Sequence, residues 1–310
     1  MSEMSIKELQ EEVKKLKREK KATILSHYYQ RREIQEIGDF LGDSLELCRK
    51  ALEVKDSDII VFNGVDFMAE TAAIVNPTRV VLHPIQSATC PMAHMLKAEE
   101  VREYKKKYPH ATVVLYVNTL AEAKAEADVV CTSANAAKII SAIDSDEILF
   151  GPDKNLAAYV QKHNPSKKII PMPKDGFCYV HKLFTSDDVL HWRKEIPHAK
   201  ILVHPECIIE VQDLSDAVLS TSQMVKYIKE SDAHEFVIGT EIGLISYLER
   251  VDPSKKYYPL LIDAICSTMK KIFLKDVIDA LKYTQYVVTV DKDIAEKSKR
   301  AIDKMFELMR

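Results

Sequence analysis

The sequence predicts an α/β protein made of three homologous α/β/α units with parallel sheets. Three observations carry that expectation. Cys90, Cys178 and Cys266 stand at equal intervals of 88 residues (178 − 90 and 266 − 178). The stretches ahead of them repeat too: DIIVFNGVDFMAETAAIVNPTRVVLHPIQSATC, DEILFGPDKNLAAYVQKHNPSKKIIPMPKDGFC and HEFVIGTEIGLISYLERVDPSKKYYPLLIDAIC. Short β-branched runs alternate with helical segments throughout, the pattern of parallel strands with covering helices.

Each repeat reads as an apolar strand, a polar turn, a helix, an N-P or D-P break, a second apolar strand, and a loop ending in Cys. The Pro residues stop the helices, because they lack an N–H and clash with the preceding turn. Phe62, Phe150 and Ile238 keep the period inside the strands. Such a period is too long for a solenoid unit.

In chain order, residues 1–20 form a charged surface helix. The first unit opens with the strand ATILSHYY, and REIQEIGDFLGDSLELCRKALE follows as helix with a break near Gly42. The second opens with ATVVLYVN, then TLAEAKAEAD, the strand VVCTS and the helix ANAAKIISAI. The third opens with AKILVHPE, then CIIEVQDLSD, the strand AVLSTS and the helix QMVKYIKE. A strand-like YVVTV and a final helix close the chain and pack back on the body. The expected boundaries are 1–106 (first unit, packed with the C-terminal tail), 107–196, 197–285, and 286–310 for the tail.

The chain has 310 residues, 46% hydrophobic and 29% charged, with a formal net charge of −3. That is ample for a globular core and lacks the basic excess of a dedicated nucleic-acid binder. No apolar run reaches the ~20 residues of a membrane span. The N-terminus has no apolar signal stretch, so a cytoplasmic protein is expected. In a reducing compartment six cysteines are thiols or metal ligands rather than disulfides. Neither G-x-G-x-x-G nor GxxxxGK[ST] occurs, which removes the common nucleotide loops.

The first strand of each unit ends in a polar triplet: His27-Tyr28-Tyr29, Tyr116-Val117-Asn118 and His204-Pro205-Glu206. Ser44, Ser133 and Thr221 follow at matching distances. Ligands of parallel α/β units bind beyond the carboxyl ends of the strands, so these positions are ligand-contact candidates. Glu206 and Tyr29 are placed for proton transfer. Ser44, Ser133 and Thr221 offer hydroxyls near helix starts, where anion binding and N-capping compete as explanations. Lys154 and Glu241 divide evenly between substrate-side and structural roles. The other histidines, His83, His94, His110, His163, His181, His191, His198 and His234, read as structural, His94 and His181 least firmly because they lie near the periodic cysteines.

Cys90, Cys178 and Cys266 read as metal ligands, because position and flanks both repeat. Cys48, Cys131 and Cys207 lack the period and read as structural thiols. Three thiolates leave one coordination position open. Zinc with a water is chemically allowed, but all-thiolate zinc sites are usually closed. A cubane iron–sulfur cluster normally takes four cysteines, and with three it keeps one iron for substrate. From the residues alone a non-enzymatic iron–sulfur sensor and a metal hydro-lyase for another acid remain alternatives.

The motifs HYYQ-x-x-EIQ, DFLGDSLEL, GVDFMAETA, ATC-x-MA, YVNT-x-AE, ADVVCTSANA, FGPDKNLA, C-x-VH, HPEC and GTE-x-G together resemble quinolinate synthase, over about residues 22–275. The resemblance implies three α/β/α domains in pseudo-threefold arrangement around a central active site, and a 4Fe–4S cluster on Cys90, Cys178 and Cys266. It implies a transferase-class reaction, iminoaspartate with dihydroxyacetone phosphate giving quinolinate, phosphate and water, in de novo NAD biosynthesis. His27, Ser44, Tyr116, Asn118, Ser133, His204 and Thr221 would hold substrate; Tyr29 and Glu206 would move protons. No nucleic-acid or membrane partner is implied. Whether an iminoaspartate-producing enzyme hands over its product by transient contact stays open.

Overall fold

The structure, a computed structural model, describes residues 4–310. The elements run in one repeated order. The first set is α1 (Ile6–Glu19), β1 (Ala22–His27), α2 (Arg32–Gln35), β2 (Phe40–Gly42), α3 (Ser44–Glu53), β3 (Ile59–Asn63), α4 (Asp66–Val75) and β4 (Val80–Leu82). The second is α5 (Ala98–Lys107), β5 (Thr112–Tyr116), α6 (Ala121–Lys124), β6 (Val129–Cys131), α7 (Ala136–Ser141), β7 (Glu147–Gly151), α8 (Lys154–His163) and β8 (Lys168–Pro171). The third is α9 (Ser186–Glu195), β9 (Lys200–Val203), α10 (Ile209–Leu214), β10 (Ala217–Val218), α11 (Thr221–Glu230), β11 (Glu235–Gly239), α12 (Gly243–Val251) and β12 (Lys256–Pro259). Two helices follow, α13 (Leu274–Tyr283) and α14 (Lys292–Leu308).

The three sheets share one parallel topology: β2-β1-β3-β4, β6-β5-β7-β8 and β10-β9-β11-β12. The periodic landmarks take the same register, Phe62 beside Leu25, Phe150 beside Val114 and Ile238 beside Leu202. The three α/β/α units expected from the repeat are therefore present. By packing, residues 4–90 group with 266–291, and 91–265 with 292–310.

Repeated side chains explain why each copy folds alike. Asp39, Asp128 and Asp216 each accept the backbone N–H of Ile24, Val113 and Ile201 at 2.8 Å. Each returns its own N–H to the carbonyl of that residue, at 2.8, 3.0 and 2.8 Å. This double bond sets the register of the second strand on the first. Asn76, Asn164 and Asp252 end α4, α8 and α12 directly before proline. Arg79, Lys167 and Lys255 bind carbonyls between the preceding helix end and the middle strand: Ser57 and Lys55, Ile143 and Ser145, and Ser231 with Ile228 in the last turn of α11. Those carbonyls lack ladder partners and need such donors.

In the unit of residues 4–90 and 266–291, Ser5 and Glu8 close a capping box at the start of α1. Val13 and Leu16 on α1 and Leu274, Val277, Ala280 and Leu281 on α13 form one core with Ile24, Ile59 and Val61. The sequence boundary at 285 assigns α13 to the third copy, but its apolar stripe packs on α1 and β3. DFLGD, expected within a helix, forms β2, with Leu25 beside Phe40 and His27 beside Gly42. Three residues are too few to show a strand period, and the Asp39 clamp decides. YVVTV is not a strand. Left-handed backbone at Thr284 and Tyr286 (φ 52° and 59°) interrupts it, leaving a single bridge from Val287 to Leu82.

In the unit of residues 91–265 and 292–310, α14 packs on β6 and α6. Ala301, Ile302 and Met305 are buried, and the Ser298 hydroxyl donates to the Ala121 carbonyl at 2.9 Å. The helical part of the tail thus covers the second sheet rather than the first unit. Among the described residues no helix is long and apolar enough to cross a membrane.

Candidate active site

The first strands bring a buried side chain to their carboxyl ends: His27 and Tyr116 are the last residues of β1 and β5, and His204 directly follows β9. A turn follows, tied down by a short helix. In the first copy Gln35 donates to the carbonyls of Tyr28 and Gln30, at 2.7 and 3.2 Å. In the third Gln212 donates to those of Pro205 and Cys207, at 3.0 and 2.7 Å. At the corresponding place of the second copy stands Lys124, fully buried. The histidines are oriented alike. His27 Nδ1 accepts the N–H of Tyr29 at 3.1 Å, and His204 Nδ1 accepts that of Glu206 at 3.3 Å. With Nδ1 turned back on its own loop, Nε2 is the nitrogen each imidazole offers a ligand.

Around Glu206 the copies at 91–265 build a closed polar cluster. Tyr116 Oη donates to Glu206 Oε1 at 2.6 Å. His181 Nδ1 lies 2.8 Å from Glu206 Oε2, and its Nε2 lies 2.8 Å from Thr240 Oγ1. A carboxylate only accepts, so Nδ1 is the donating nitrogen. The His181 ring stacks on His204 at 4.4 Å between centroids and 16° between planes. The Asn155 amide donates to the Glu206 carbonyl at 3.0 Å. Ligating atoms of Cys178, His181 and Glu206 all lie within 4.8 Å of one another, a spacing from which a metal could be held.

Burial alone would raise the Glu206 carboxyl. His204 and His181, with hydrogen bonds from His181 and Tyr116, outweigh it and hold the group down at about 2. Asp153, fully buried, goes the other way: desolvation first, then the Glu206 charge, push it up despite bonds from backbone N–H groups. Two neighbouring carboxyls driven apart in this way mark an acid–base site, with Glu206 the ionised member. Asn118 Oδ1 is buried without a hydrogen-bond partner, an acceptor that a ligand N–H or O–H would satisfy.

In the other unit Tyr29 sets its ring edge-on to His27 at 4.5 Å. Its loop is fastened to the turn after Cys266. Lys270 Nζ donates to the Tyr29 carbonyl at 2.5 Å, Arg31 Nε to the Lys270 carbonyl at 2.8 Å, and the Arg31 guanidinium lies over the Phe273 ring. The Cys266 thiol is 3.4 Å from Thr268 Oγ1.

Ser44, Ser133 and Thr221 are not the N-caps. Asp43, Asn135 and Ser220 hold those positions, and Ser44 and Thr221 are the first helical residues. Capping therefore does not account for the three hydroxyls. Lys154 lies at the surface, 3.5 Å from Asp175. Glu241 is fully buried, taking the Gly243 N–H at 2.7 Å. The close backbone around GPDKN explains its glycine: a Cβ on Gly151 would sit 1.8 Å from the Met172 carbonyl oxygen.

The cysteines separate as their spacing suggests. Cys48, Cys131 and Cys207 are buried, whereas Cys90, Cys178 and Cys266 are partly exposed. Burial pushes the thiols of Cys131 and Cys207 up, away from thiolate chemistry. The main omission of the sequence reading is His181. Ala93 and Met269 occupy its places in the other copies, so periodicity passes over it; the C-x-VH motif contained it.

Acid–base chemistry at the ends of parallel strands, with a solvent-reachable thiol beside it, defines the class: an α/β enzyme of the strand-end type. Comparison with known proteins gives the particular family. The family model described as Quinolinate synthetase A protein matches residues 11–307. The chain is 53% identical over 303 residues to the quinolinate synthase of Methanothermobacter thermautotrophicus, covering 98% of this chain and 99% of that one. It is 54% identical over 298 residues to that of Pyrococcus abyssi (96% and 98% covered), and 46% identical over 298 residues to that of Alkaliphilus metalliredigens (96% and 97%). The chain belongs to the quinolinate synthase family.

Proposed function

We propose that the protein condenses iminoaspartate with dihydroxyacetone phosphate to quinolinate, releasing phosphate and water, as a cytoplasmic step of de novo NAD biosynthesis. The observation that carries this is the buried Glu206–His181–Tyr116 cluster at strand ends of a chain in this family. Carbon–carbon bond formation, carbonyl isomerisation, imine closure and dehydration each move protons, and Glu206 is held ionised to take them. Tyr29 is its counterpart in the first copy. His27 and His204 offer Nε2 to substrate oxygens. Tyr116 and Asn118 add hydrogen bonds, and Ser44, Ser133 and Thr221 receive carboxylate or phosphate near helix starts. A site this buried keeps water from the imine.

The donor set fits a 4Fe–4S cluster, since Cys90, Cys178 and Cys266 are the partly exposed thiols and lie at one topological position in three copies. Held by these three thiolates, the cluster would supply a Lewis-acidic iron for a substrate hydroxyl or carbonyl oxygen.

The test is product analysis with anaerobically purified protein. Quinolinate should accumulate from the two substrates together and from neither alone. Intact cluster absorption without quinolinate would refute the assignment.

A further inference from the structure

The loops that carry the periodic cysteines are held by a device that recurs in every copy. The N–H of Asp66, Lys154 and Ile242 donates to the carbonyl of Ala88, Gly176 and Ala264, at 3.0, 2.9 and 3.1 Å. Each acceptor stands two residues before its cysteine. A second bond ends on the cysteine itself. Cys90 N–H donates to Asp66 Oδ1 at 2.9 Å, and Cys178 N–H donates to Asp153 Oδ2 at 2.9 Å. Asp66 is the first residue of α4, Asp153 caps α8 through the Leu156 N–H at 2.7 Å, and Glu241 precedes α12 at the place of Asp153. After the cysteine the chain turns tightly, with Lys182 and Lys270 N–H donating to the carbonyls of Cys178 and Cys266, at 3.0 and 3.1 Å.

We infer that Asp66 and Asp153 are positioning residues that aim the thiolates of Cys90 and Cys178 and tune the cluster they hold, an inference that rests on the cofactor reading above. Two physical effects follow from the geometry. A bond from the cysteine's own amide fixes its φ, and with it the direction of Cβ and Sγ, by a carboxyl oxygen rooted in a helix start rather than in the loop. The same bond occupies an N–H that would otherwise be free to turn toward sulfur. Hydrogen bonds to cluster sulfurs raise the reduction potential, so engaging the amide keeps electron density on the thiolate and the potential low.

The experiment compares wild type with Asp66→Ala, Asp66→Glu, Asp153→Ala and Asp153→Glu, purified without oxygen. Three quantities are read: iron per chain, the rate of iron release to a ferrous chelator, and the midpoint potential from an anaerobic redox titration. Loss of the bond predicts iron release about tenfold faster in the alanine variants, with a potential displaced upward. The glutamate variants keep the carboxyl but shift the acceptor by one methylene, and should fall between. If the alanine variants do not fold, the glutamate pair decides, because a role in general stability predicts wild-type release and potential for them. Wild-type release and potential in every folded variant would overturn the positioning role while leaving the cofactor reading intact. A wild-type chain that takes up no four-iron cluster would overturn both.

Discussion

Glu206 shows how much chemistry one carboxylate can be given by its neighbours. A phenol and an imidazole each donate to one of its oxygens, and together with His204 they hold it ionised against complete burial. Replacing Glu206 with Gln removes the charge while keeping the shape. We expect turnover to fall by about 10²–10⁴ with iron content unchanged; a steady-state assay beside iron analysis checks both. His83 makes a separate prediction about stability. It is buried, its Nε2 is 3.1 Å from the Gly64 carbonyl, and desolvation lowers its pKa from 6.5. Folding therefore favours the neutral ring, and the unfolded chain binds the extra proton. Stability present above pH 6.5 is lost as pH falls below it. In His83→Gln, which can still donate to Gly64, urea midpoints measured on either side of pH 6.5 should differ less than in wild type. Equal slopes would remove His83 from the acid response. At this scale the sequence was readable where residues recur and unreadable where they do not: matching places His27 and His204 at equivalent strand ends, whereas only folding brings His181 to Glu206.

Among the elements, the middle strands were legible because their β-branched runs are buried on both faces. The short second strands were legible only in part. β6 and β10 fall in expected strands, whereas β2 was hidden inside an apparent helix, because three residues give no period and the deciding force is the Asp39 clamp across 15 positions. YVVTV failed for the opposite reason: its composition favours a strand, but left-handed residues beside it leave no extended run to pair. α14 was legible as a helix, yet its partner was not, since an apolar stripe specifies burial without naming the surface that provides it. The structure assigns that surface to β6 and α6. Ile302, fully buried there, should cost about 2–5 kcal/mol when replaced by Ala. Chemical denaturation would measure this, and a change within ~0.5 kcal/mol would mean that α14 contributes little to the second sheet.

For the whole molecule, the threefold repeat was the most readable feature, and it extends to hydrogen bonds that no composition could reveal. The strand clamp of Asp39, Asp128 and Asp216, the helix stops of Asn76, Asn164 and Asp252, and the loop anchors of Arg79, Lys167 and Lys255 recur in all three copies. What could not be read is the return of α13 to the first sheet, because residues 274–283 keep the 88-residue spacing of α5 and α9, and spacing does not name the surface a helix packs against.

The frame is constant while the strand ends are not: His-Tyr-Tyr, Tyr-Val-Asn and His-Pro-Glu. Had the same unit been used as three separate copies of one short chain, a single codon change would have altered all three strand ends together. Carried in tandem on one gene, each end has its own codon. One can turn into a carboxylate while another becomes a phenol, and the scaffolding aspartates need not change. Tandem repetition thus frees the strand-end positions to differ, which an assembly of identical subunits could not supply.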